Sequence, residues 1–182
     1  KLSFSEKEQP HQKRLAELLA GTGLESGTFY QELEMESRFV DTHRDVRFSN
    51  AKVSLHSHNF YEILYCTNTC GAEYLVGTER YKLQKGDIII VPPGVSHRPL
   101  IPEVLTEPYK RDVLWVSMEF LKTLMQTFPD KDVFQSSGTR LIRTAGSKWA
   151  YLTDMIHRGV RESEQRKLGW ELAVASNTAM LL

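Results

Sequence analysis

The sequence has few cysteines, no excess of either charge and no long apolar run, and each absence excludes a class of protein. Two cysteines, Cys66 and Cys70, occur in 182 residues, too few for a disulfide-stabilised scaffold. Lysine plus arginine (23) equals aspartate plus glutamate (23), which argues against a nucleic-acid-binding surface, because phosphate binding needs a local excess of positive charge. No apolar run reaches the length of a bilayer span, so we expect no transmembrane helix and no membrane partner.

The two ends of the sequence also lack expected signals. The first residues, KLSFSEKEQPHQKR, contain no initiator Met and no apolar core of a secretory signal. We therefore expect a cytoplasmic protein in which Cys66 and Cys70 are reduced thiols, with a redox or metal role as the alternative. The last residues, AMLL, fall within an apolar helical pattern that has no cap, which predicts that the natural polypeptide continues beyond Leu182.

The middle of the sequence predicts a mainly β domain over residues 32–118. Short runs rich in β-branched and aromatic residues alternate with turn signals such as QKGD and PPG. About eight strands joined by hairpin-length connections indicate a small antiparallel barrel or sandwich and not a βαβ fold. The strand sequences are FVDTH, VRFSN, KVSLHSH, FYEILYC, AEYLVG, RYKLQ, DIIIVP and VLWVSM.

Helical patterns flank this β region. Residues 1–31 predict a short N-terminal helix and an arm, and residues 119–182 predict a C-terminal helical segment. EFLKTLMQTF predicts one short helix, residues 145–164 predict a second, and a third begins near Arg166. The third helix carries apolar residues at steps of four and three, which fit either packing against the preceding helix or a dimer seam: Leu168, Leu172, Ala175, Ala179 and Leu182.

The stretch HSHNFYE places two imidazoles and a carboxylate within seven residues. Side chains alternate along a strand, so His56, His58, Phe60 and Glu62 would share one face of an unbroken strand. In a closed barrel that face points inward and the polar groups converge. Two histidines and one carboxylate with open positions are favoured by Fe(II) and are acceptable to Mn, Ni or Zn.

A later stretch, GDIIIVPPGVSH, supplies a further histidine, His97. The combination of HxHxxxE with GxxxxxPxGxxH some 35 residues later resembles the two sequence motifs of the cupin superfamily. The resemblance implies a cupin-type antiparallel β-barrel. It also implies that His56, His58, Glu62 and His97 occupy the metal-ligand positions. One departure is Ile101, where an asparagine is often found in the family.

A wider resemblance runs from about Ser37 to the end. FYEILY, RYKLQKGDIIIVPPGVSHRP, PYKRDVLWVSMEFLKTL and the two trailing helices resemble the N-terminal half of AraC-type transcription regulators. This resemblance implies a bacterial sensor domain that binds a small effector, often a sugar. It also implies a homodimer formed by the C-terminal helices, and DNA binding only through a helix-turn-helix domain that is absent here.

The resemblance leaves two functions open. The first is a ligand-sensing and dimerisation domain of an AraC-type regulator, in which Phe60, Tyr74 and Trp115 would line the effector site. The alternative is a metal-dependent cupin enzyme, a dioxygenase or isomerase, in which Fe(II) would activate oxygen or polarise a carbonyl. The sequence does not decide whether the four ligand positions hold a metal or are simply structural, and it identifies no catalytic acid or base.

Overall fold

The computed structural model describes residues 31–48, 53–128 and 140–182. The N-terminal helix predicted within residues 1–31 lies outside this range, except for Gln31. Ten strands and three helices occur in the described part of the chain. None of these helices has the length and apolar character needed to cross a membrane.

The strands form two sheets of five. In sheet A the order is β1 (Gln31–Leu33), β3 (His56–His58), β8 (His97–Leu100), β5 (Glu73–Val76) and β6 (Glu79–Lys82). In sheet B it is β10 (Arg140–Arg143), β7 (Asp87–Val91), β4 (Tyr61–Cys66), β9 (Tyr109–Val116) and β2 (Val40–Arg47). β1 pairs with β3 in parallel, and the other described pairs are antiparallel.

The predicted mainly β, cupin-type class is confirmed, with three corrections of detail. The two sheets do not close into a continuous barrel. FVDTH and VRFSN, predicted as two strands, both contribute to the single strand β2 (Val40–Arg47), which pairs with β9 over its whole length, and the last two residues of VRFSN lie outside the described range. The segment 119–182 also contributes a strand, because RLIR pairs with the apolar strand β7 and extends sheet B.

Every residue of β4, YEILYC, is buried, because sheet B is covered on both faces. Tyr61, Ile63 and Tyr65 belong to an apolar cluster with the helices, whereas Leu64 and Cys66 belong to a second cluster facing sheet A. Burial of both faces explains why β4 and β7 read as nearly continuous apolar runs and not as alternating ones.

The helices are α1 (Met118–Thr127), α2 (Tyr151–Gln165) and α3 (Trp170–Leu181). Ser117 caps α1 by accepting a hydrogen bond from the Phe120 amide. In α3 the side chains facing the core are Val174, Asn177 and Thr178. The predicted seam therefore divides: Ala175, Ala179 and Leu182 pack against the core, whereas Leu168 and Leu172 are exposed.

A polar contact joins sheet B to α2. The Asp112 side chain is fully buried on the helix-facing side of β9 and accepts hydrogen bonds from Arg44 (2.9 Å) and His157 (2.7 Å). Arg44 also lies 3.4 Å from Glu164 near the end of α2. A buried carboxylate needs such partners, so this cluster sets where the helix sits on the sheet.

Two glycines of the second motif occupy turns that require positive φ. Gly86 (φ +91°) precedes β7, and a β-carbon there would lie 3.1 Å from the Thr144 hydroxyl. Gly94 (φ +77°) follows β7 and donates its amide to the His58 carbonyl at 2.8 Å. The second hydrogen bond joins the two motifs directly, because it ties the end of β3 to the loop that leads to His97.

Candidate metal and effector site

The HSHNFYE stretch crosses from one sheet to the other. β3 ends at His58 in sheet A, the chain bends at Asn59 and Phe60, and β4 begins at Tyr61 in sheet B. β3 and β4 are thus separate strands, as predicted, and the condition of one unbroken strand for a shared face is not met. The side chains of His58 and Glu62 still converge, because the two sheets face each other and each residue lies on the inner face of its own sheet.

His97 completes the cluster from β8. It lies opposite His56 in the antiparallel pairing, and the two rings are 4.4 Å apart between centroids. The potential ligand atoms of His56, Glu62 and His97 all lie within 4.8 Å of one another. His58 stands beside this trio, with its Nε2 atom 3.8 Å from Glu62 Oε2.

Each imidazole is oriented by a backbone carbonyl. A carbonyl only accepts hydrogen bonds, so the Nδ1 atom of each ring carries the proton and Nε2 keeps its lone pair. The accepting carbonyls are Ser54 for His56 (3.0 Å), Phe60 for His58 (2.7 Å) and Val95 for His97 (2.8 Å). This is the arrangement that fixes histidines as metal ligands.

The unsatisfied atoms of the cluster fit a cation. Nε2 of His58 and Nε2 of His97 are buried and have no hydrogen-bond partner among the described residues. Both atoms lie 3.8 Å from Glu62 Oε2. Lone pairs and a carboxylate oxygen facing one another repel unless a positive charge lies between them. Imidazole nitrogens with one carboxylate suit Fe, Mn, Ni or Zn, so these residues fit a divalent metal.

Burial sets the protonation state of the cluster. It lowers the pKa of His56 to about 4, and the neighbouring His97 contributes in the same direction. Burial alone would raise the pKa of Glu62, but hydrogen bonds from His58 and His97 when Nε2 carries a proton, together with the positive charges of His97 and Arg111, hold the pKa well below its usual range. Neutral His56 and ionised Glu62 near neutral pH are the forms that bind metal.

The three aromatic residues predicted to contact an effector surround the cluster. Phe60 stacks on the His58 ring at 4.0 Å and lies 4.8 Å from Trp115. Tyr74 donates its hydroxyl to Glu62 Oε1 (2.8 Å), and the Trp115 indole donates to Glu62 Oε2 (3.1 Å). In this structure the polar atoms of Tyr74 and Trp115 are therefore hydrogen-bonded to Glu62. Their contact with an effector stays a prediction.

Sequence reasoning missed the polar residues on β2 and β9. Arg111 is only 6% exposed, donates to Asp45 through Nε (2.8 Å), and donates to the Tyr74 hydroxyl through Nη1 (3.3 Å). His43 lies on the same inner face, edge-on to Trp115 at 4.8 Å. The available signal was the alternation of YKRDVLWV, which places Arg111 on the same face as Trp115.

A cavity of about 370 Å³ opens next to the cluster, with Phe60 in its wall. The cavity combines apolar and polar side chains and is lined by Glu34, Met35, Ser37, Asn59, Phe60, Ser117 and Met118.

The two cysteines lie elsewhere in the interior. Both are buried free thiols, and burial raises the pKa of Cys66 to about 12.

The two facing sheets with histidines and a glutamate between them have the cupin-type fold, and solved structures align with parts of this chain. Apo ToxT from Vibrio cholerae aligns over 82% of this chain and 55% of its own, with 10% identity and a TM-score of 0.54. A cupin 2 conserved barrel domain protein from Salinispora arenicola aligns over 48% and 71%, with 20% identity and a TM-score of 0.40.

Sequence comparison finds a family model that fits part of the chain. Residues 42–127, slightly less than half of the chain, match the model of the AraC-like ligand binding domain. Bacillus subtilis oxalate decarboxylase, studied for its Mn(II) centres, aligns over 43% of this chain and 21% of its own, with 18% identity and a TM-score of 0.38. A search of curated protein sequences finds no significant match. ToxT aligns with the largest share of this chain among these three, but the chain spans only about half of ToxT.

Proposed function

We propose that this chain is the effector-sensing and dimerisation domain of an AraC-type transcription regulator, which controls a helix-turn-helix domain that follows it. The observation that carries the proposal is the match of residues 42–127 to the AraC-like ligand binding domain. The balanced charge of the chain agrees with DNA contacts made by another domain. The effector, a small molecule such as a sugar, would bind between the sheets and bias the packing of the helices.

The sensing site that we propose is the cluster with its aromatic surroundings. His56, His58, Glu62 and His97 would hold a divalent metal, which would present a positive charge to oxygen atoms of the effector. The two buried Nε2 atoms without partners support this role. Phe60, Tyr74 and Trp115 would form the walls, with Phe60 separating the cluster from the cavity.

Metal analysis tests the site directly. Protein purified without an affinity tag should contain about one equivalent of Fe, Mn, Ni or Zn by mass spectrometry. The variant His97→Gln should lose this metal. The matched control His157→Gln should retain it, because His157 lies on α2, where it contacts Asp112 and not the cluster. Metal-free wild-type protein after growth with all four metals would contradict the metal part of the proposal.

Dimerisation through α3 is the second part of the proposal. Leu172 on α3 is exposed at 73%, and Leu168 in the turn just before α3 is exposed at 106%, so two neighbouring leucines are available for contact with a second copy. Leu172→Lys should shift the sedimentation of the wild type from dimer to monomer. Val104→Lys should not, because Val104 is equally exposed (79%) but lies far along the chain in a loop. A monomeric wild type at micromolar concentration would contradict the seam.

The regulatory role requires the complete gene. We expect the coding sequence after Leu182 to encode two helix-turn-helix motifs, and the complete protein to bind its own promoter DNA in an effector-dependent way. A binding assay on the complete protein with candidate sugars measures this. A coding sequence that contains no such motifs would contradict the regulator assignment.

The donor set also favours a second candidate, a metal-dependent cupin enzyme such as a dioxygenase or isomerase. Three imidazoles and one carboxylate can hold a metal that leaves positions for substrate. Steady turnover of a substrate by metal-loaded protein, abolished in His97→Gln and retained in His157→Gln, would favour the enzyme. Binding of an effector without turnover would favour the sensor.

A further inference from the structure

Glu62 is held from two sides by donors that are not histidines. Tyr74 donates to Oε1 at 2.8 Å and Trp115 donates to Oε2 at 3.1 Å. Oε2 is the oxygen that faces the imidazoles, with the Nε2 atoms of His58 and His97 both at 3.8 Å. The two carboxylate oxygens therefore have different environments: Oε2 faces the cluster and Oε1 faces Tyr74.

Tyr74 is itself fixed by a charged pair. Arg111 donates to the Tyr74 hydroxyl at 3.3 Å, so the phenol accepts one hydrogen bond and donates another to Glu62. Arg111 in turn contacts Asp45 Oδ2 through both Nε (2.8 Å) and Nη2 (2.6 Å). Tyr74 is completely buried and Arg111 nearly so. The line Asp45–Arg111–Tyr74–Glu62 thus runs from β2, the last strand of sheet B, to the cluster.

We propose that Tyr74, oriented by Arg111, is a positioning residue that makes Glu62 offer a single oxygen, Oε2, to a divalent cation. This inference rests on the proposed metal site. A free carboxylate can rotate and offer both oxygens, whereas the phenol on Oε1 fixes the carboxylate plane with Oε2 toward the imidazoles. Oε2 accepts from Trp115 and keeps a second lone pair for the cation. Hydrogen bonds to metal ligands of this kind set both their orientation and the affinity for the metal.

The chain supplies a matched control for the Tyr74 hydroxyl. Tyr109 is also completely buried and belongs to the same apolar cluster as Tyr74. Its hydroxyl has no hydrogen-bond partner among the described residues. Tyr74→Phe therefore removes the contact with Glu62, while Tyr109→Phe removes a buried hydroxyl of the same kind without breaking a bond in the line.

The test is titration of metal-free protein with Co(II) and Zn(II) alone. Affinity is measured by competition with a chelator, and the ligand set is measured by the visible absorption spectrum of Co(II). We expect Tyr74→Phe to weaken binding by roughly 10- to 100-fold and to change the Co(II) spectrum, because Glu62 can then offer its second oxygen. Tyr109→Phe should match the wild type in both measurements.

The outcomes separate this inference from the metal site itself. Wild-type protein that binds neither ion would overturn both. Wild-type binding with an unchanged affinity and spectrum in Tyr74→Phe would overturn only the positioning role. Should Tyr74→Phe fail to unfold cooperatively, Arg111→Lys takes its place, since lysine keeps the positive charge next to Asp45 but lacks the planar guanidinium that contacts Asp45 and Tyr74 together. A Co(II) spectrum identical to that of the wild type in this variant would also refute the inference.

Discussion

Acid should destabilise the metal-free domain through His56. The pKa of this imidazole is about 4 in the folded protein, against an ordinary value of 6.5, chiefly because the ring is buried. Between these two pH values, the unfolded chain therefore binds a proton at His56 and the folded protein does not. The contribution of His56 to the free energy of unfolding is complete above pH 6.5, decreases as the pH falls toward 4, and is absent below pH 4.

The magnitude follows from the two pKa values. Each unit of difference corresponds to about 1.4 kcal/mol, so the full loss below pH 4 is roughly 3 kcal/mol. Between pH 7.5 and pH 5, His56 alone should remove about 2 kcal/mol from the free energy of unfolding.

Urea unfolding of wild type and His56→Gln measures this contribution. Both proteins are unfolded at pH 7.5, 6 and 5 in the presence of a chelator, so that metal release does not contribute. Other titrating groups affect both proteins alike, and the difference between the two curves isolates His56. We expect wild type to lose about 2 kcal/mol more than the variant between pH 7.5 and pH 5. Parallel curves would refute the reasoning, because they would mean that burial does not perturb this imidazole.

Three further predictions concern stability and reactivity. Asp112→Asn should lower the free energy of unfolding by about 2–3 kcal/mol, because two charged hydrogen bonds to a fully buried carboxylate weaken. Glu164→Gln, at the half-exposed end of the same network, should change it by less than about 1 kcal/mol in thermal unfolding. Gly86→Ala should cost about 2–3 kcal/mol, since its φ is +91° and a side-chain oxygen lies 3.1 Å from the new β-carbon. Gly77→Ala, with open space around it, should cost about 1 kcal/mol. Cys66, with a pKa of about 12, should resist iodoacetamide at about pH 8 in the folded protein and react in urea, and rapid native labelling would contradict its burial.

Much of the fold could be predicted because local patterns carry it. The apolar runs YEILYC and DIIIV form strands, and the α1 segment forms a helix, each close to its predicted place. The predicted split of FVDTH and VRFSN was wrong, because pairing with the eight-residue strand β9 keeps β2 continuous through a polar sequence. RLIR is too short to be recognised as a strand from the sequence. It forms a strand only because it pairs with β7 at the edge of sheet B.

The histidines and the glutamate of the cluster were visible in the sequence, but their geometry was not. Spacing identified His56, His58, Glu62 and His97, and the two motifs indicated their class. The hydrophobic periodicity of the sequence could not predict the bend at Phe60, because the bend depends on which sheet each strand joins.

By itself, the sequence determined the residue types, the two motifs and the apolar strands such as YEILYC and DIIIV, because each depends on neighbours along the chain. The tertiary structure alone decided that Tyr74 and Trp115 bind Glu62 and that Arg111 orients Tyr74. These contacts join residues 12 to 53 positions apart. Hydrogen bonds of this kind form only when two sheets face each other at side-chain distance, and pairing between strands that are distant in sequence sets that distance.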